Sequence, residues 1–198
     1  MGDARRGRGP VLGGHRARAI STGRFVQYDL RRAGRLMEPA TYAAIAADHA
    51  NLVGTKNGTW DVLRILALHR DAPMLRHFLT EMGYPFGCAV GRPGLLMSVS
   101  GANPAAGIRF FESGVRGDLG SCSPVRGSWW QSRRHSSGRL AGRGAHMDGA
   151  FERMLHRLVD ERFPMSQLPP YASVPEEGYR AFRDWLAATH PRWLPGAG

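Results

Sequence analysis

Lysine is almost absent from this chain: a single one, Lys56, stands beside 26 arginines in 198 residues. Cysteine is nearly as scarce. Cys88 and Cys122 are the only two, too few for a disulfide framework and without the paired spacing that holds zinc. No apolar run approaches the roughly 18 residues of a membrane span, because charge, Pro or Gly interrupts each one. The basic N-terminus has too short an apolar stretch for a secretory signal. These absences leave a cytoplasmic, reducing setting as the expectation, with no membrane partner and no metal.

Acids are missing from two stretches, and that is where the net charge of +11 arises. Residues 1–35 hold nine Arg and two Asp, and residues 119–145 hold five Arg and no acid. The stretches 36–118 and 146–198 are close to neutral. A nucleic-acid module usually carries its basic groups on a folded element with aromatics for stacking. Here only Trp129 and Trp130 accompany the second basic run, so both runs read as solvated segments. Nucleic acid is therefore the less favoured partner, although a basic binding protein or a non-catalytic interaction protein remains the alternative reading.

What is present is a rhythm. Residues 24–30 (RFVQYDL), 51–56 (NLVGTK), 73–79 and 94–99 (GLLMSV) are short apolar or β-branched runs, the form of parallel strands buried on both faces. Between them lie helical stretches: Glu38 to His49 with Pro39 near its start, Thr59 to His69 with Thr59 as expected N-cap, a short Glu81 to Val90, and Asn103 to Glu112. Strand and helix alternate about every 25 residues, which predicts a parallel α/β sheet. The pattern stops near residue 118. Helices are predicted again from Asp148 to Arg162 and from Pro175 to Thr189, the latter with Tyr179, Phe182, Trp185 and Leu186 on one stripe. The organisation expected is a disordered basic segment over 1–23, an α/β region over 24–118, an Arg/Gly/Ser-rich linker over 119–145 and a helical region over 146–198.

Lys56 ends the second strand in the run Gly54-Thr55-Lys56-Asn57-Gly58. The carboxyl end of a parallel strand is the active face of α/β barrels. A lysine there, its stem among apolar neighbours, can act as an amine that condenses with a ketone. A lysine in this position is more often an ordinary surface charge, and residue type alone leaves both open.

Three blocks add a resemblance. Gln27-Tyr28-Asp29 is followed by the EPATYAAIAADHA helix, then by Asn51-Leu52-Val53-Gly54-Thr55-Lys56, with Tyr28 and Lys56 separated by 28 residues. Downstream, Gly94 to Pro104 reads GLLMSVSGANP. In order and spacing these resemble the second half of the dihydrodipicolinate synthase / N-acetylneuraminate lyase family of class I aldolases. The resemblance implies a partial (β/α)8 barrel of about four βα units with C-terminal helices. It implies a Schiff base between Lys56 and pyruvate or another 2-oxo acid, proton relay by Tyr28, and a substrate pocket lined at Met97 through its carbonyl. It implies no cofactor, and it admits a homo-oligomer. The family's Asn-x-Pro after the tyrosine is replaced by Asp29-Leu30-Arg31, Asn57 stands where an acid is usual, and no Gly-Thr-Thr-Gly-Glu motif for the substrate carboxylate occurs. A truncated, inactive relative of the family is thus within the expectation.

Overall fold

The computed structural model describes residues 23–30, 33–122 and 148–197. The segments expected to be disordered (1–23) and to form a linker (119–145) lie almost wholly outside the described residues, as do Trp129, Trp130, His135 and His146. The chain divides into two compact units, Met1–Leu96 and Met97–Gly198.

The first unit is a four-stranded sheet with helices between its strands. Strands β1 (Phe25–Asp29), β2 (Leu52–Asn57), β3 (Arg76–Thr80) and β4 (Gly94–Leu96) lie in that order, and every pair is parallel. Between them come α1 (Pro39–Asp48), α2 (Val62–Asp71) and α3 (Tyr84–Val90). Strand order that follows chain order without a reversal is the arrangement of a β/α barrel, since a doubly wound sheet changes direction at a switch point. One residue of β2, Val53, is extra: Phe25 faces Leu52 while Val26 faces Gly54. The helices bury Tyr42 and Ile45 from α1 and Ile65 and Leu68 from α2. Each aliphatic side chain removed from water this way contributes roughly 1.5–3 kcal/mol.

Two local expectations are corrected. Thr59 does not cap α2. The carboxylate of Asp61 accepts from Leu63 N and Arg64 N, and the Thr59 hydroxyl accepts from Asp61 N one step earlier. A carboxylate at the positive end of the helix is the stronger acceptor, and the threonine is left to set up the turn that delivers it. The fourth strand also ends early, at Leu96 rather than Val99. The Ser100 hydroxyl donates to the Met97 carbonyl at 2.6 Å and closes a 3-10 turn over Ser98–Gly101.

The second unit begins with that turn and continues into α4 (Pro104–Val115), α5 (Asp148–Val159) and α6 (Glu176–Thr189). Asn103 caps α4 by accepting from Ala106 N at 3.0 Å, and Pro104 occupies the first helical position, where a missing N–H costs nothing. The apolar stripe read on α6 is the face that packs: Tyr179, Phe182 and Leu186 are buried, and Phe182 meets Phe151 of α5 edge-on at 5.9 Å. The four βα units and the C-terminal helices expected from the sequence are all present. Among the described residues no helix is long and apolar enough to cross a membrane.

Candidate functional site

Side chains of a strand alternate between faces, so register fixes which residues of the sheet stand together. Tyr28 faces Lys56 across β1 and β2, Lys56 faces Phe78, and Phe78 faces Gly94. This row crosses the sheet near the carboxyl ends of its strands. Within it the Lys56 ammonium nitrogen lies 3.8 Å from the centre of the Tyr28 ring, a contact in which the cation meets the negative face of the ring. Lys56 is half-buried and Tyr28 is 44% exposed. The two residues singled out in the sequence are thus direct neighbours.

Phe78, flanking Lys56 on the other side, was not singled out. Its ring covers Gly94 so closely that a β-carbon there would sit 2.4 Å from Cδ1. The sequence signal was slight: an aromatic one position before the end of an apolar run.

The opposite face of the same strands carries Asp29, Thr55, Asn57 and His77, all buried. Asn57 Nδ2 donates to Thr55 Oγ1 at 2.7 Å, and Thr55 Oγ1 lies 2.9 Å from His77 Nδ1. His77 Nε2 lies 3.0 Å from the Ala72 carbonyl, which can only accept. The ring is therefore protonated on Nε2, and its Nδ1 accepts from the Thr55 hydroxyl. Burial lowers the pKa of His77 against partial support from backbone hydrogen bonds. His69 meets it edge-on at 5.2 Å and is lowered as well, first by burial, then by His77 and Arg76. These two histidines lack metal-ligand company, and no group of three or more His, Cys, Asp or Glu that could hold an ion occurs among the described residues.

Asp29 is the other polar centre of that face. It accepts from the Tyr42 hydroxyl at 2.9 Å and from Arg64 Nη2 at 2.8 Å. Burial, then the Asp29 carboxylate, push the Tyr42 phenol well above its usual range, so it serves as a donor. Met97 belongs to the second unit. It directly follows β4, and its carbonyl, the atom expected to line a substrate pocket, is engaged by Ser100.

No family model matches the sequence, and neither does any curated protein. Solved structures do. A prophage protein of the dihydrodipicolinic acid synthase family from E. coli K12, YagE, crystallised with pyruvate, superposes with a TM-score of 0.73 at 12% identity, over 91% of this chain and 62% of its own. The fold is that of a partial barrel of the dihydrodipicolinate synthase type. A variant of 2-keto-3-deoxygluconate aldolase from Sulfolobus solfataricus matches at 0.72 and 13% identity, over 96% and 62% of the two chains. A catalytic-lysine mutant of the sialic acid aldolase of Ruminococcus gnavus matches at 0.71 and 14%, over 95% and 63%. This partial barrel spans about three fifths of the length of each structure. At such identities the likeness is one of fold.

Proposed function

We propose that this chain is a lyase of the class I aldolase type, with Lys56 forming a Schiff base with pyruvate or another 2-oxo acid and Tyr28 relaying protons. The observation that carries this reading is the stacking of the only lysine on Tyr28, 3.8 Å from nitrogen to ring centre, at the carboxyl ends of adjacent parallel strands. The fold adds weight, because structures sharing it include one bound to pyruvate and one described by its catalytic lysine.

In this reading Lys56 gives up a proton to solvent and its neutral amine attacks the substrate's carbonyl carbon. The resulting carbinolamine takes up a proton from the Tyr28 phenol at its hydroxyl and releases water, giving an iminium. The iminium withdraws electrons from the adjacent carbon, so that a C–H or C–C bond there breaks with its electron pair moving toward nitrogen. Water then returns through the same steps and frees the amine. Phe78 would exclude solvent from one side of the nitrogen. A cytoplasmic setting suits a chain with only two cysteines, Cys88 and Cys122.

The test is intact-mass spectrometry after incubation with pyruvate and borohydride. Reduction of the iminium would add the mass of pyruvate less one oxygen, once per chain, and Lys56→Ala should abolish it. An unmodified, folded wild type would sink the reading. That outcome would favour a second reading, a scaffold without turnover.

A further inference from the structure

Tyr28 lies on β1, which among the described residues pairs only with β2. A strand held by one ladder is free to twist and fray at its end. The stack of Tyr28 on Lys56, 3.8 Å from nitrogen to ring centre, needs the ring kept over the nitrogen. The residue after Tyr28 supplies the hold. Asp29 turns to the opposite face, where a single carboxylate oxygen, Oδ2, accepts three hydrogen bonds. They come from the Tyr42 hydroxyl of α1 at 2.9 Å, from Arg64 Nη2 of α2 at 2.8 Å, and from the Met37 backbone N–H ahead of α1 at 3.1 Å. Arg64 Nη2 also donates to the Met37 carbonyl at 2.7 Å. The carboxylate is 6% exposed and the guanidinium 12%, so solvent screens this pairing little. Charge-assisted bonds from three separate segments fix the position and the rotation of the backbone at 29, and through one peptide bond the direction in which Tyr28 leaves the strand.

We propose that Asp29 is the positioning residue for Tyr28: gripped by Tyr42, Arg64 and Met37, it clamps the end of β1 and so holds the Tyr28 ring over Lys56. Its consequence for turnover rests on the Schiff-base reading above; the clamp itself does not. An aspartate at the end of β1 thereby acts on the reacting pair from behind the sheet.

The test uses the full chain and the fact that it has one lysine. Reductive methylation with 13C-formaldehyde labels Lys56 and the terminal amine, and the Lys56 methyl signals should be displaced upfield by the Tyr28 ring current relative to denatured protein. Tyr28→Leu should abolish that displacement. Asp29→Asn, nearly isosteric but without the negative charge that pairs with Arg64 and strengthens all three bonds, should at least halve it while far-UV circular dichroism stays unchanged. A folded Asp29→Asn protein with the full displacement overturns the proposal, as does a wild type with none. Should Asp29→Asn fail to fold, Tyr42→Phe decides. It removes one donor and keeps the ion pair; a smaller displacement supports the clamp, and an unchanged one overturns it. With pyruvate and borohydride, Asp29→Asn should form adduct roughly 10- to 100-fold more slowly, the scale expected of small misplacements at a reacting centre. A wild type that forms no adduct yet shows a displacement lost in Asp29→Asn removes the Schiff-base reading and supports the clamp.

Discussion

The Thr55 hydroxyl and the His77 ring meet across β2 and β3 at 2.9 Å, in a chain of hydrogen bonds with one direction: Asn57 amide to Thr55 hydroxyl to His77 Nδ1, and His77 Nε2–H to the Ala72 carbonyl. A second proton on His77 would put a donor where Nδ1 now accepts.

Acid should therefore weaken the first unit. His77 and His69 both have folded pKa values below their ordinary 6.5. Between those folded values and 6.5 the unfolded chain binds more protons, so stability rises with pH there. It is complete above about pH 6.5 and declines as pH falls through the window beneath. Urea midpoints at pH 8 and pH 5 should show the loss. His77→Gln should shrink the difference between them, and an unchanged difference would count against the assignment.

Removing the Asp29 carboxylate should be costly. Asp29→Ala leaves the Arg64 guanidinium and the Tyr42 hydroxyl without their shared acceptor in a dry site, and breaking a buried pair from one side costs about 3–5 kcal/mol. Asp29→Ala combined with Arg64→Met should cost much less than the sum of the two single changes. Chemical denaturation of the three variants measures this, and additive losses would mean that the pair is not coupled.

Gly94 is needed for the Phe78 ring rather than for any unusual backbone. A β-carbon there would lie 2.4 Å from the ring, and overpacking of this kind typically costs about 1–3 kcal/mol. Gly94→Ala should lower the melting temperature, and adding Phe78→Leu should recover part of the loss. Equal melting points for Gly94→Ala and wild type would disprove the contact.

In the second unit, Asn103 works at both ends of its amide. Its oxygen caps α4, while its nitrogen shares two hydrogens among the carbonyls of Arg192, Leu194 and Ala197 at 3.0–3.2 Å. Asn103→Ala should cost about 1–3 kcal/mol from the lost cap and unpaired groups. Asn103→Asp keeps the cap but turns a carboxylate toward three carbonyls. It should be no more stable than Asn103→Ala, and a near-wild-type Asn103→Asp would show that only the cap matters.

The alternation of strands and helices was legible because each strand is a compact apolar run and each helix has its own start signal. Lys56 was legible because nothing else in the chain is a lysine, and Tyr28 because its spacing from Lys56 matched a known pattern. The capping of α2 was not, since Thr59 and Asp61 are both good caps and only the backbone decides between them. Nor was the end of β4 at Leu96. Met97 and Val99 look like more strand, and the hydroxyl that turns the chain away is Ser100. The Asp29 clamp joins residues 35 positions apart, and His77 is buried by partners its neighbours do not announce. Such contacts are set by how layers pack, which local spacing does not encode.

The extra residue in β2 has a bearing on how this sequence can change over generations. Lys56 serves one face of the sheet and Thr55 and Asn57 the other, so losing one residue between Gly54 and Lys56 would turn the lysine inward beneath the helices and bring the polar chain out. Val53 is different. It stands opposite no residue of β1, and its loss would close the irregularity while leaving Lys56 opposite Tyr28. Along this strand, position 53 is where the chain can shorten by one codon and keep the lysine on its tyrosine.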